Sequence, residues 1–568
     1  MSDYLVPVED LEAVLFDVLQ APAQLAALPA HADTDEALMR QMLAEMGKFV
    51  SGQIAPLNRV GDEVGARWQD GAVTMAPGFR DAYQAFWQGG WAAVSAAPED
   101  GGQGLPAVLD AALYESLSAA NHGWTMAPGL LHGAYECLKH HGSDALKAEY
   151  LEKIATGEWL ATMCLTEPHA GSDLGLASTR AVAQPDGSYL ISGTKIFISG
   201  GEHDLTDNIV HLVLAREPGA PAGPKGLSLF LVPKFYADGS RSAVTCERIE
   251  EKMGLHGSPT CVMRFDDARG WLVGQPGKGL NAMFVMMNAA RLHVALQGVG
   301  LLSAAWQKAD AYAHERKQMR APGAKETSLL IQHPAMQRTL ATQRAWLDAG
   351  RVLAYQTAIE LDIAKHHPDA DRRAAAERWC ALATPMLKAA CTHQAFHGGS
   401  DCLQVFGGHG YVSEWGIEQH VRDARVAMIY EGTNEIQAID LLVRKVLADG
   451  GTALAALLDR VRAEAGDRPL GREAVRCADA LQALTGRVVA AGAQDAALPY
   501  WVADDYLRAA SMALLAWAGA RIEASPAAER QGALAALDAL LHWVLPEFDM
   551  RCAIIDRRLA AVDAGATV

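Results

Sequence analysis

The first candidate for chemistry in this chain is a carboxylate at a tight turn, Glu431, in the run Met428-Ile429-Tyr430-Glu431-Gly432-Thr433-Asn434. A short apolar, partly β-branched stretch from Arg422 delivers Tyr430 and Glu431 to the glycine. Beyond it, Thr433 or Asn434 can cap a helix reading Ile436, Ile439, Val443, Val446, with Gln437 spaced as a capping-box partner of Asn434. The helix stops at Gly450-Gly451. Free N–H groups and a positive dipole end at a helix N-terminus suit an anion such as a pyrophosphate. The run therefore combines a candidate base with a candidate phosphate site, although a glutamate on a solvated turn fits the same residues.

Three further stretches put polar groups at element ends. Met163 to Asp173 sets two hydroxyls (Thr166, Ser172) and two carboxylates (Glu167, Asp173) on a strand end and the Gly/Pro turn after it, where donors can converge on a flat heterocycle. Gly193 to Gly201 offers a ring, Phe197, and a hydroxyl, Ser199, two residues apart and so on one face of a strand. Gln404 to Gly410 ends a helix with glycines that let a backbone or ligand approach closely. Taken singly, these also read as a polar loop, core packing and a helix stop. His393 and His397 stand i, i+4, but no H-E-x-x-H accompanies them and no metal site is expected. Arg444-Lys445 reads as a complement to a helix dipole.

The elements that must position these groups follow from periodicity. Residues 8 to 160 are helical in pattern, with Leu11, Val14, Leu15, Val18, Leu19 on one stripe and Leu38, Met42, Met46, Phe49 on a second. The G-x-G within Pro98–Pro106 follows no strand and is read as a connector. From 161 to 276 the runs Thr179–Val182, Tyr189–Ser192, Lys195–Ser199, Ile209–Ala215, Leu227–Val232 and Thr260–Phe265 predict strands, the first two flanking a Pro185-Asp186-Gly187 hairpin. Strands with hairpin turns and no helices between them imply an antiparallel or barrel-like domain. Helical period returns after Gly279 through Phe284, Met287, Leu292, Leu296, Val299 and Leu302, with more helices at 334–366 and 376–404 and an inserted loop at 320–327. From 451 an Ala/Leu-rich helical segment runs to the end, and its size predicts an added domain.

At 568 residues the chain should bury three or four cores. Its net charge of −18 opposes nucleic acid or anionic membrane as main partner. Nine cysteines without a C-x-x-C pair read as free thiols, and the absence of a signal pattern or an apolar span predicts a soluble cytoplasmic protein with no metal.

Read together, the four motifs in this order and spacing resemble the acyl-CoA dehydrogenase family over roughly residues 35 to 447. The resemblance implies a mainly helical fold with a central antiparallel β-domain: a helical N-terminal domain (1–160, with an extension), a middle β-domain (161–276), a C-terminal four-helix bundle carrying the base (277–450) and here an extra helical domain (451–568). It implies FAD as cofactor, an acyl-CoA thioester as substrate and an electron-transfer flavoprotein as acceptor. Glu431 matches the catalytic base, which removes the α-proton, and its backbone N–H matches a donor to the thioester oxygen. A closed apolar pocket would raise its pKa as the task requires. Where some members carry the base before an arginine of the long helix, Ala290 precedes Arg291 and cannot take a proton.

For the flavin, the resemblance assigns Leu165 and Thr166 to the ring edge, Phe197 in place of a tryptophan on the ring, and Ser199 in place of a threonine. It assigns Arg316 to the pyrophosphate across a subunit boundary, Gln404 and Gly408 to the adenine side, and Thr433 and Glu435 to the helix start, Glu435 through ribose or backbone. Met319 stands where phenylalanine is usual. Ser172, Tyr430 and Arg291 are the expected substrate contacts. The two terminal additions, with Gly201–Asn208, Lys252–Gly257 and Met286–Arg291, resemble the large bacterial branch that includes 3-(methylthio)propanoyl-CoA dehydrogenase. That substrate, or another short- or medium-chain acyl-CoA, is therefore expected, and Met283, Met286 and Met287 are read as helix core or as a pocket tolerant of a thioether. The added domain leads to an expected homodimer. An acyl-CoA oxidase, marked by peroxide formation, is the alternative within the fold. A DNA-binding member is the alternative outside enzymes, opposed by the 12 arginines, no lysine and 16 acids from Asp449 onward, net −4.

Overall fold

In the computed structural model, which describes residues 4–563, helix gives way to sheet at Leu160 and sheet to helix at Gly279. The helices used below are α1 (Glu36–Phe49), α2 (Ala107–Thr125), α3 (Leu131–His141), α4 (Gly279–Glu315), α5 (Pro334–His366), α6 (Ala370–Val405), α7 (Ile417–Arg425) and α8 (Asn434–Ile439). Five more follow: α9 (Thr452–Glu464), α10 (Pro469–Gly492), α11 (Leu498–Ala524), α12 (Ala533–Ala539) and α13 (Pro546–Asp563). The residues group into two compact units, one of 49–105 with 120–293, the other of 4–48, 106–119 and 294–563.

The unit of 49–105 and 120–293 holds every strand found among the described residues. A hairpin of β1 (Arg67–Gln69) and β2 (Ala72–Thr74) stands apart from a seven-stranded sheet of β3 (Leu160–Cys164), β4 (Arg180–Ala183), β5 (Tyr189–Ser199), β6 (Ile209–Arg216), β7 (Leu227–Pro233), β8 (Val244–Ile249) and β9 (Thr260–Val273). The order β3-β6-β4-β5-β9-β7 closes on itself where β7 also pairs β6, and β8 adds to β9. Pairs are antiparallel except β3 with β6 and a single β4–β6 pair. β7 is buried along its whole length and β6 up to Arg216, which is why both read as continuous apolar runs without alternation. At the β4–β5 turn Asp186 Oδ1 accepts from Ser188 N at 3.0 Å and Gly187 takes φ 84°.

Two strand features were not expected. β8 buries only Val244 and Cys246, too weak an alternation to announce itself. The β1–β2 hairpin did carry its signal, since Asp70-Gly71 adopts φ 50° and 87°, the left-handed pair that a two-residue turn needs. Two helical stripes were also one residue off. On α1 the inward face is Met39, Leu43, Met46 rather than Leu38 and Met42, and in the first turns of α4 it is Met283 and Met286, leaving Phe284 43% exposed.

The other unit is helical throughout. At its centre Glu115 of α2, 1% exposed, accepts Arg351 Nε and Nη2 of α5 at 2.8 and 2.6 Å and the Tyr355 hydroxyl at 2.7 Å. Removing a charged pair from water is costly unless each lone pair is used, and here both carboxylate oxygens are. The N-terminal extension packs on the same unit: Asp10 meets Arg344 at 2.9 Å and Arg530 at 3.1 Å, and Arg521 donates to Val18 O at 3.1 Å. The base of the 320–327 loop is closed by Gln318 N to Ser328 O (3.0 Å) and Ser328 N to Met319 O (2.8 Å). No cysteine is in a disulfide, and no helix among the described residues is long and apolar enough to cross a membrane.

Arg351→Met strands the Glu115 carboxylate in the core and should cost roughly 3–5 kcal/mol in urea unfolding. The double variant Glu115→Met/Arg351→Met should recover much of that loss; if it is as unstable as the single, packing rather than the orphaned charge sets the cost.

Candidate active site

In the helical unit, Glu431 reaches its turn from a helix and not from an extended run. Ile417, His420, Ala424 and Ala427 recur at three- and four-residue spacing and are buried, so α7 continues through a 3-10 turn, Val426–Met428, up to Tyr430. Glu431 itself is left-handed at φ 55°, followed by Gly432 at 84°. For a residue with a Cβ this conformation costs roughly 1–2 kcal/mol, so the surroundings must hold it. Gln437 Nε2 donates to the carbonyls of Glu431 (3.1 Å) and Gly432 (3.2 Å). Lys388 of α6, fully buried, donates Nζ to Gly432 O (2.8 Å) and Asn434 Oδ1 (3.0 Å), and Asn434 Nδ2 returns to Ala389 O (3.2 Å). Tyr430 Oη donates to Gln297 Oε1 at 2.6 Å. Burial, and then the Glu431 and Asp423 charges, push the Tyr430 hydroxyl up, so it stays a proton donor.

The helix start differs from expectation in detail. Thr433 is the cap, its Oγ1 accepting from Ile436 N at 3.3 Å, whereas Asn434 is turned inward to Lys388. Gln437 therefore closes no capping box and instead braces the two carbonyls before the cap. Glu435 is exposed and Thr433 and Glu431 are half-buried.

A second cluster of the same unit joins the end of α4 to the segment after α6. Tyr312 stacks on Phe406 (centroids 4.2 Å) and its hydroxyl meets His409 Nδ1 at 2.9 Å, while His409 stacks on Trp415 at 4.7 Å. These rings tie the end of α4 to the segment after α6; Arg316 stands one turn beyond Tyr312, Gln404 near the end of α6 and Gly408 in the segment that follows. All three are exposed, as is Met319 at φ 57°.

In the sheet unit, Leu165 and Thr166 sit half-buried just past β3, and the structure joins them to β5: Lys195 Nζ donates to Leu165 O (2.9 Å) and Ile196 N to Thr166 O (2.9 Å). Lys195 is also 2.8 Å from Glu167 Oε1, and Glu167 accepts from Ser178 N, Ser178 Oγ and Thr179 N at 2.8–3.0 Å. Burial alone would raise the Glu167 carboxyl, but Lys195 and these donors outweigh it and hold it at about 2. Of the two carboxylates of this stretch, Glu167 is thus committed to a buried ion pair, while exposed Asp173 accepts from Gly175 N at 3.0 Å through Oδ1. Ser172 is exposed.

Phe197 and Ser199 do share a side, but through a bulge. Lys195 pairs Met263 and Ile198 pairs Cys261, so one extra residue stands on β5, with Phe197 left-handed at φ 59°. The inward positions switch from Lys195 to Ile198, leaving Phe197 60% exposed and Ser199 half-buried beside it. Arg291 is 7% exposed and Ala290 8%. Met283 and Met286 are fully buried, and a Cβ at Gly133 of α3 would fall 2.9 Å from Met286 Cγ, so these two belong to core.

Lys388, Lys195 and Gln297 were not singled out from the sequence, and Gln437 was read only as a capping-box partner. The available signal was a lone lysine in an apolar helical run, Met386-Leu387-Lys388-Ala389, and a lysine at an inward strand position. The Gly201–Asn208 motif also proves structural: Glu202 is paired by Lys234 and by Arg241 (3.2 Å), and Asn208 bonds both backbone groups of Phe235 at 2.9 Å.

The chain belongs to the acyl-CoA dehydrogenase family: the family's N-terminal, middle and C-terminal domain models match residues 34–158, 162–268 and 277–446. It is 44% identical over 480 residues, 83% of this chain and 81% of the relative, to 3-methylmercaptopropionyl-CoA dehydrogenase of Ruegeria pomeroyi. It is 36% identical over 529 residues, 86% and 85% of the two chains, to the broad-specificity linear acyl-CoA dehydrogenase FadE5 of Mycobacterium tuberculosis. In fold it is similar to Caenorhabditis elegans ACDH-11 in complex with C11-CoA (TM-score 0.78, 20% identity, 99% and 96% covered). It is also similar to a Bacillus anthracis acyl-CoA dehydrogenase complexed with FAD (TM-score 0.75, 22% identity, 93% and 89% covered).

The Glu167–Lys195 pair has a pH signature. Because the folded carboxyl lies below its ordinary value, its stabilisation is present above pH about 4.3 and is lost as pH falls towards about 2. Urea midpoints from pH 7 to 3 should fall more steeply for the wild type than for Glu167→Gln/Lys195→Met. Parallel curves would show that the pair is not coupled to protonation.

Proposed function

We propose that this chain catalyses FAD-dependent α,β-dehydrogenation of an acyl-CoA thioester to the trans-2-enoyl-CoA. The observation that carries the reading is the Glu431 turn. A half-buried carboxylate stands in a strained left-handed conformation, held from behind by Gln437 and, through Gly432 and Asn434, by a buried lysine. Such strain is retained when the position of the side chain matters more than its comfort.

Glu431 is the base that removes the α-proton. Its backbone N–H is the donor assigned to the thioester oxygen, where charge develops as that proton leaves. Tyr430, fixed by Gln297, and Arg291 and Ser172 are assigned to the bound acyl-CoA. FAD, when bound, supplies the acceptor for the β-hydrogen and its electron pair.

The residues present fit that cofactor. An aromatic ring 60% exposed on a bulge is an unusual thing to leave in water, and a flat heterocycle stacked on Phe197 would cover it. Leu165, Thr166 and Ser199 surround that ring's strand and would meet the heterocycle's edge. Exposed Arg316 suits a pyrophosphate through its planar fork, with Gln404 and Gly408 on the adenine side and Thr433 and Glu435 at the helix start. Their exposure within one chain accords with a homodimer in which these groups face the cofactor of the partner subunit.

The 44% identity to a 3-methylmercaptopropionyl-CoA dehydrogenase supports that thioether acyl-CoA, or another short- or medium-chain acyl-CoA, as substrate, with an electron-transfer flavoprotein as acceptor in the cytoplasm. Anaerobic mixing of the flavin-loaded protein with acyl-CoAs of graded length should bleach the flavin, most rapidly with a short chain. Glu431→Gln should lower that rate by roughly 10²–10⁴-fold while still binding acyl-CoA; reduction at the wild-type rate would remove Glu431 from the role. Lys388→Met should leave flavin content intact but cut turnover on the order of 10²-fold, as a displaced base does. An unchanged turnover number with a raised KM would instead make Lys388 a determinant of binding.

A further inference from the structure

Outside the proposed active site, one buried cluster of the helical unit has the composition of a metal centre. Asp362 and His366 stand i, i+4 near the end of α5, and His31 faces them from a short 3-10 turn, Pro29–His31, in the N-terminal extension. One ligand atom from each residue lies within 4.8 Å of those of the other two. His31 is 5% exposed, and neither of its ring nitrogens has a hydrogen-bond partner. Its Nε2 lies 3.5 Å from Asp362 Oδ1, and its ring meets that of His366 edge-on with centroids 5.5 Å apart.

Buried polar atoms are almost always hydrogen-bonded, so an imidazole with both nitrogens unused calls for a reason. Asp362 supplies part of one. Its Oδ2 accepts from Ala107 N at 2.8 Å, at the first residue of α2, which fixes the carboxylate and leaves Oδ1 directed at His31. An oriented carboxylate beside a buried imidazole whose ring nitrogens make no hydrogen bond is what a divalent ion selects, and backing of a ligand by a second hydrogen bond is usual in metal sites.

We propose that His31, Asp362 and His366 bind a divalent transition-metal ion, Zn²⁺ foremost. Two imidazoles and one carboxylate provide three ligands, and water completes a tetrahedron. With bonds of about 2.0–2.1 Å, tetrahedral ligand atoms lie roughly 3.3–3.5 Å apart. The His31–Asp362 edge already has that length, and rotation of the half-buried His366 side chain would close the remainder. Hard cations such as Mg²⁺, which favour six oxygens, are excluded by the donor set. The ion would tie the N-terminal extension to α5 and to the start of α2, and its role is structural.

The test uses the flavin-loaded full-length protein, stripped with chelator, reloaded with ZnCl₂ or MgCl₂ and desalted before metal analysis. One zinc per chain should be retained, Tm should rise with zinc and not with magnesium, and Co²⁺ in place of zinc should give visible ligand-field absorption. His31→Gln and His366→Gln should each weaken zinc retention by at least about tenfold and abolish the cobalt bands, with flavin content and basal turnover unchanged. If His31→Gln fails to fold, His366→Gln, at the more exposed position, carries the comparison. Substoichiometric zinc in the wild type, or equal retention in His366→Gln, would overturn the site and leave a buried His–Asp ion pair in its place.

Discussion

A lysine side chain with no access to water braces the turn of the helical unit that carries Glu431. Lys388 sits on α6 amid apolar neighbours, and in that environment its charge is tolerable only if acceptors come to it. Gly432 O and Asn434 Oδ1 do so. Drawing the Gly432 carbonyl inward forces the chain before it to turn sharply, and the left-handed φ at Glu431 follows from that turn. The carboxylate is displayed because the backbone behind it is committed elsewhere. The sheet unit uses the same device with a different partner: Lys195 takes the Leu165 carbonyl and Glu167, so the loop after β3 is locked from its inner side. In both units a buried lysine side chain holds the backbone of a short polar turn from its inner side.

The two terminal additions form one feature in space. Asp10 of the extension lies between Arg344 and Arg530, so the segments before residue 34 and after residue 446, which lie outside the matched family domains, are coupled by charge as well as by packing. Burial alone would raise the Asp10 carboxyl, yet the guanidiniums of Arg344, Arg351 and Arg530 hold it below its usual range, which keeps it anionic in the fold. The His31 cluster lies farther along the same extension and faces the same helix, α5. An extension that began as a sequence departure is therefore an integral brace of the helical unit.

Much of this was legible in the residues. The switches of period at 160 and 279, the hairpin at Asp186-Gly187 and the glycine stop at Gly450-Gly451 are local signals, and local geometry obeyed them. What stayed hidden depends on contacts distant in sequence. Gln437 stands at the capping-box spacing from Asn434, but Asn434 is recruited by a lysine 46 positions earlier, so Thr433 caps and Gln437 braces. Phe197 and Ser199 were placed on one side by simple alternation, and they are, although the strand contains a bulge that alternation would forbid. A one-residue shift of the inward stripe on α1 and at the start of α4 arises where adjacent apolar residues offer two faces and only packing chooses between them.

The residues that most sharply mark the bacterial branch largely serve the fold. Glu202 and Asn208 secure the chain between β5 and β6, His256 holds Asp62 at 3.0 Å, and Met286 fills space against Gly133. Resemblance in these motifs is resemblance of scaffold, and the identity of the acyl group must be decided by side chains that the scaffold leaves uncommitted. Thioether and alkyl chains of equal length differ little in volume, so a pocket can separate them only by sulfur contacts at a few positions, each worth a fraction of the total binding energy. Discrimination of that size is consistent with a branch in which one scaffold is shared by relatives whose names denote a thioether substrate and a broad range of linear acyl-CoAs.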